Sequence, residues 1–399
     1  MIRIYIDRVA MLGVITGLLS FSLPFLRIKP SRLAGGTPAG WEESLPGAAL
    51  FLLVVVWIMI GLLSLVSRGD SRAAFGAGIG ANLIILLLFF WAGFQSGILL
   101  PEEYTFGRVS LGAGFWVMVL GAYLVILAAR KVWSGNNWQT WLLSWSALAG
   151  VFILITGGGL SGISVMEELS IRQNRFRQEF FNHLFISFSA VGIATAVGMP
   201  LGIFIYRRKT WERPVFFLTN TMQTVPALAL FGLLIGPLAF FSQRFPFLRE
   251  LGIGGIGWFP AMVALILYAL LPILRNTYTS FQVLDEKTVE AGRGMGMNSR
   301  QLLFQIQLPL AMPLILTGIR TSLVQTIGNT TLAALIGAGG FGVFVFQGLG
   351  QAAHDLILLG VFPVIALALI ADKLMQQLTI RLTPRGIIKE ERGNEDGWQ

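Results

Sequence analysis

Few side chains in this 399-residue chain are equipped for covalent or metal chemistry. It has no cysteine and two histidines, His183 and His354, far apart in the sequence. Thiolate metal sites and disulfides are therefore absent from consideration, and a histidine-built metal centre or catalytic triad has too few members. None of the six lysines lies in a G-x-x-x-x-G-K-[ST] loop, so the chain offers no usual cradle for ATP phosphates. Two other patterns stand out. Arg320 is followed by Gln325, Asn329, Thr330 and Thr331 inside an apolar run, where polar groups need a purpose. Gln325 and Asn329 are four apart and share a helix face. A charge at Arg320 must meet protein, water or a carboxylate, and gating or helix locking competes evenly with a structural, snorkelling cation.

The second pattern is "EAGRGMGMNSRQLLFQIQLPLAMP", from Glu290 onward. Asp285 is placed to cap a short helix over 286–291, with acidic residues in its first turn. Gly292, Gly294 and Gly296 should break that helix, each costing roughly 1 kcal/mol in a helix interior. Asn298 with Gln301 three residues on resembles a capping box for a second helix. Leu302, Leu303 and Ile306 supply its apolar stripe, and Pro309 marks a turn into the next apolar run. The expected shape is helix, glycine elbow, helix: a handle between two spans.

The elements that carry these residues are membrane helices. Hydrophobic residues make up 55% of the chain, charged residues only 12%, and the mean hydropathy is +0.72. Soluble domains carry about twice that charge fraction. The apolar runs predict an all-α polytopic membrane protein with about ten spans, at 9–26, 48–66, 73–94, 111–129, 141–156, 183–206, 215–241, 258–274, 310–336 and 355–375. Basic residues in the alternate gaps divide eighteen to nine. That bias places both termini in the cytoplasm, and it accounts for the net charge of +9 without nucleic acid. The first span has no small-residue cleavage site after it, and reads as a retained helix.

Prolines separate the two halves. Before residue 160 they fall in loops or at span ends; after His183 they sit in or beside spans, at Pro200, Pro226, Pro237, Pro260, Pro272, Pro313 and Pro363. Each removes a backbone donor and bends its helix, and carbonyls so freed are tolerated only against protein or a watery cavity. The pattern predicts plain helices over 1–160, a polar connecting segment at 161–182, a path-lining core at 183–376 containing the loop 285–309, and a cytoplasmic tail at 377–399.

At the insert the residues resemble a known family. Glu290-Ala291-Gly292, then Gly296, then Ile306-x-Leu308-Pro309 is similar to the EAA loop of ABC-transporter permeases, with Gly292 replacing the second alanine. "NHLFISFSAVGIATAVGMPLGIFIYRR", "QTVPALALFGLLI" and "GIRTSLVQTIGNTTLAALIGAGGFG" extend the resemblance, over roughly 176–376, to permeases of bacterial osmoprotectant importers. It implies a type I ABC importer permease core in the C-terminal half, within the bacterial inner membrane. It implies a non-enzymatic transport subunit without cofactor or metal, driven by an ABC ATPase dimer on separate chains. It also implies an external substrate-binding protein and a second permease subunit, identical or different. Glu290, Ala291, Gly292, Gly296, Ile306, Leu308 and Pro309 would couple to the ATPase, and Arg320, Gln325, Asn329 and Thr330 would line or gate the path. Glycine betaine and its relatives are the implied cargo. No aromatic cage for a quaternary ammonium can be named from the sequence; Trp133, Trp138, Trp141 and Trp145 fit an interfacial belt. A different cargo, such as an amino acid, is the alternative. An ATP-independent secondary transporter would need paired intramembrane acids, and would leave the 290–309 handle without a purpose.

Overall fold

The computed structural model describes residues 7–32, 34–66, 70–101, 103–104, 106–250 and 252–384. The basic residues Arg3, Arg68, Arg385, Lys389 and Arg392, used in the charge count, lie outside the described residues. Two compact units emerge. One runs through Ile171 and also holds Gln351–Asp355; the other holds Arg172–Gly350 and the chain from Leu356 on.

The first unit contains helices α1 (Arg8–Ser20), α2 (Trp41–Ser44), α3 (Gly47–Val66), α4 (Ser71–Ser96), α5 (Ala113–Val132), α6 (Asn137–Thr156) and α7 (Ser164–Ile171). It also contains strands β1 (Leu26–Lys29), β2 (Thr37–Ala39) and β3 (Arg108–Leu111), which form an antiparallel sheet ordered β2-β1-β3. The span expected over 9–26 is corrected: α1 stops at Ser20. Pro24 cannot continue a helix and restricts the residue before it, so the chain turns and enters β1. Trp57, Phe25, Phe115, Leu53, Ile60, Ile84 and Leu88 pack the core. Asn82 of α4 serves α6, its Nδ2 donating to the Leu143 carbonyl (3.1 Å) while its Oδ1 accepts from Ala147 N–H (3.1 Å). Asp355 has one buried oxygen accepting from Lys29 Nζ, Ser110 Oγ and Ser164 Oγ, each at 2.9 Å.

The second unit holds α8 (Gln173–Arg207), α9 (Glu212–Thr224), α10 (Ala227–Arg244), α11 (Pro246–Glu250), α12 (Trp258–Gln282), α13 (Glu286–Gly294), α14 (Ser299–Gln301), α15 (Leu308–Ala333), α16 (Gly342–Gly350) and α17, which begins in the first unit (His354–Leu382). Between α14 and α15, Leu302–Gln307 forms a π-helical turn, so helix runs from Ser299 to Ile336. Among the described residues nine helices are long and apolar enough to cross a membrane, and α1 is a shorter apolar helix. The single span expected over 215–241 is two helices. Val225, next to Pro226, is extended (φ −70°, ψ 126°) and separates α9 from α10, as the residue before a proline prefers.

Helix α12 is the spine of this unit. It runs parallel to α8, with Gly198 against Ile273 and Tyr206 against Phe281, and antiparallel to α15, with Ser322 Oγ donating to the Ala269 carbonyl (2.8 Å) and Ala311 and Ile315 clustered with Phe281. Pro200, Pro237, Pro272, Pro313 and Pro363 all lie inside helices. The carbonyl that Pro272 deprives of its N–H partner belongs to Tyr268, and it accepts instead from Gln223 Nε2 of α9 (2.8 Å).

Candidate functional site

The handle is built by caps. Asp285 Oδ1 accepts from Lys287 N–H (3.2 Å) and starts α13, satisfying a donor that the first turn leaves over. The helix does not break at Gly292 as expected, but continues through Gly294. Gly292 is buried, facing Ile306 and Leu302; a Cβ there would lie 2.6 Å from Ile306 Cδ1 and 2.8 Å from Leu302 Cδ1. Tertiary packing thus overrides the local propensity.

The elbow falls at Gly296, whose φ of +82° is left-handed and free of cost only for glycine. Met297 N–H donates to the Gly292 carbonyl (3.2 Å) and Gly296 N–H to that of Arg293 (2.9 Å), the pair of bonds that closes a Schellman cap. Asn298 then starts the next helix with the expected capping box. Its Oδ1 accepts from Gln301 N–H (2.9 Å), and Gln301 Oε1 accepts from Asn298 N–H (2.8 Å). No turn occurs at Pro309. The π turn precedes it, with Leu308 N–H reaching back to the Leu303 carbonyl. A wide turn there accommodates a residue that has no N–H to give and whose ring crowds the preceding turn.

Glu290 and Ala291 are exposed on α13, Ile306, Leu308 and Pro309 are half-buried, and the same end exposes Val283, Met295 and Phe304. The loop therefore presents a carboxylate and bare apolar side chains while its inner face packs on the π turn that leads into α15.

Arg320 meets a carboxylate. Its Nε lies 2.5 Å from Asp372 Oδ1 and its Nη2 2.7 Å from Oδ2, a two-pronged pair between α15 and α17 of the kind a guanidinium forms best. Gln325 is exposed, Asn329 half-buried, and Thr330 buried with its hydroxyl donating to the Thr326 carbonyl (2.8 Å). These residues do not converge on one surface. The exposed polar stripe of α15 is instead Thr317, Thr321, Gln325 and Gly328. Thr317 and Thr321 donate to the carbonyls four residues back (3.0 and 2.9 Å), as hydroxyls in membrane helices do. Sequence reasoning missed both threonines, although their spacing of four toward Gln325 carried the signal.

At the opposite end of α8 and α15, Glu179 Oε2 accepts from Gly340 N–H (2.7 Å), in a turn where Gly337, Gly339 and Gly340 all have positive φ. His183 is fully buried; Nε2 donates to the Ile327 carbonyl (3.0 Å) and Nδ1 accepts from Phe341 N–H (3.3 Å). Both ring nitrogens are occupied within the protein, so His183 is a structural link between helices.

Residues 191–383 match the family model described as binding-protein-dependent transport system inner membrane component, and residues 7–166 match the N-terminal domain of the ABC transporter permease YehY. The chain is 42% identical over 215 residues to the carnitine transport permease protein OpuCB of Listeria monocytogenes, covering 54% of this chain and 91% of that one. It is 40% identical over 207 residues to the osmoprotectant import permease protein OsmW of Salmonella typhimurium, covering 52% and 91%. The MetNI methionine ABC transporter in inward-facing conformations matches at a TM-score of 0.46 and 20% identity, over 53% of this chain and 98% of that one.

A helical membrane core bearing this loop, matched over nine-tenths of such relatives, defines a transport subunit. The chain belongs to the family of inner-membrane permeases of binding-protein-dependent ABC importers. In that family ATP is hydrolysed by a separate ATPase and cargo is delivered by a binding protein, in the bacterial inner membrane.

Proposed function

We propose that this permease imports osmoprotectants of the glycine betaine, carnitine and choline kind. The carrying observation is the identity of about 40% to permeases with those cargoes, over about nine-tenths of their length. The capped loop Glu286–Gln301 docks into the ATPase, with Glu290, Ala291 and Gly296 on the contacting side and Gly292, Ile306, Leu308 and Pro309 fixing it to α15. Exposed Met295 and Phe304 supply the apolar anchors such a contact needs. Closure of the ATPase pair draws two such loops together and reorients the spans. The bare polar stripe Thr317, Thr321, Gln325 and Gly328 faces the path between two permease chains, flanked by Asn329, because polar groups at membrane depth need protein or water beside them. Arg320 and Asp372 lock α15 to α17 beside that stripe, and Thr330 braces it from behind. Both termini and the loop are cytoplasmic, following the bias of basic residues.

Uptake of radiolabelled glycine betaine, in a host lacking its own importers and supplied with the cognate ATPase and binding protein, tests the reading. Uptake that requires the ATPase and collapses in Glu290→Arg supports cargo and coupling together. If the ATPase co-purifies but no osmoprotectant is taken up, the cargo assignment is wrong. If Glu290→Arg transports normally, the coupling assignment is wrong.

A further inference from the structure

Between α9 and α12, at the end where the coupling loop emerges, lies a cavity of about 310 Å³ lined by Glu212, Arg213, Phe216, Arg275, Tyr278 and Thr279. Two cations and one carboxylate border it, a surplus of one positive charge. Glu212 is engaged with the Tyr278 hydroxyl, which also accepts from Gln282 Nε2 (2.8 Å). Arg213 and Arg275 are both exposed, and neither has a hydrogen-bond or ion-pair partner among the described residues.

Arg275 sits seven residues before the end of α12, about 10 Å in along the axis at 1.5 Å per residue. Arg275 directly follows the apolar run 258–274, and an unpaired guanidinium at such a border attracts an anion or water. Exposed apolar side chains lie on or beside α9: Trp211 is 54% exposed, Phe217 74% and Leu218 58%. Arg207, Arg208 and Lys209 lie three to five residues before that helix. A basic pocket at a span end, on a helix that also exposes aromatic and aliphatic side chains, matches a molecule that has a phosphate at one end and hydrocarbon at the other.

We propose that this cavity holds the phosphate of an anionic phospholipid, forked by Arg213 and Arg275, with acyl chains lying on Phe217 and Leu218. Guanidinium groups grip phosphate through paired N–H donors, whereas a lysine ammonium acts as a point charge. Thr279 borders the same space and offers its hydroxyl to the headgroup.

Native mass spectrometry of the purified full-length permease, titrated with phosphatidylglycerol, phosphatidylcholine or inorganic phosphate, tests this. The wild type should retain phosphatidylglycerol in preference to phosphatidylcholine. Arg213→Gln and Arg275→Gln should each weaken phosphatidylglycerol retention about fivefold, the factor expected for one basic residue near an anionic surface. Arg213→Lys and Arg275→Lys, which keep the charge, should fall between. Equal retention of the two lipids overturns the proposal, as does full retention by the double glutamine variant. Displacement of phosphatidylglycerol by equimolar inorganic phosphate makes this a free-anion site and overturns the lipid assignment.

Discussion

Replacing Gly292 with alanine restores the residue that the loop pattern of other permeases carries, yet this fold should resist it. The new Cβ would lie 2.6 Å from Ile306 Cδ1 and 2.8 Å from Leu302 Cδ1, where carbon contacts settle at about 3.5–4.0 Å. Each methyl must retreat by about 1 Å. Turning a side chain off its rotamer costs about 0.5–1.5 kcal/mol, so two cost about 1–3 kcal/mol. Alanine returns about 1 kcal/mol through helix propensity, leaving Gly292→Ala destabilising by about 1 kcal/mol. Ile306→Val deletes the nearer methyl; alone it costs about 0.5–1.5 kcal/mol, but beside Gly292→Ala it removes half the clash. The two changes should therefore couple favourably by about 0.5–1.5 kcal/mol, beyond the scatter of about 0.5 kcal/mol for independent sites. Thermal unfolding of the four purified proteins, followed by tryptophan fluorescence, measures the coupling. The reasoning fails if Gly292→Ala raises the midpoint and Ile306→Val shifts it equally in both backgrounds.

Three further predictions follow from polar contacts that tie elements together. Arg320→Gln or Asp372→Asn should each cost about 1–3 kcal/mol, less than a fully buried pair, because both side chains are 35% exposed; exchanging the two residues should recover part of the loss in midpoint and in uptake. Gln223→Leu should cost about 1–3 kcal/mol, since it strands the Tyr268 carbonyl, and Pro272→Ala in that background should recover stability by returning an N–H to the same oxygen. Lys29→Met leaves the buried Asp355 carboxylate with only its two serine donors and should cost about 3–5 kcal/mol, whereas Lys29→Met with Asp355→Leu should cost much less. Unfolding midpoints of matched single and double variants check both.

What could be read from the sequence was mostly local. Asp285, Asn298 and Gln301 announce their caps because a cap needs only a residue type at a fixed offset. The long spans were legible by length and apolarity. Failures came where neighbours distant in sequence decide. Gly292 stays helical because Ile306 and Leu302 fill the space a side chain would occupy. Arg320 plainly required a partner, but nothing local picks out Asp372, 52 residues on. The three strands near Leu26, Thr37 and Arg108 are too short to show an alternating pattern, and the apolar residues leading into β1 let the first span be drawn up to its first residue.

The π turn at Leu302–Gln307 has a consequence for how the handle is aimed. A π turn holds one residue more than the α turn it replaces, and each residue advances a helix by about 100°. The azimuth of α14 and of the loop behind it is therefore an integer property of the chain, fixed by residue count between Asn298 and Pro309. Packing can tilt the handle by degrees, but only an added or lost residue can swing it to another quadrant.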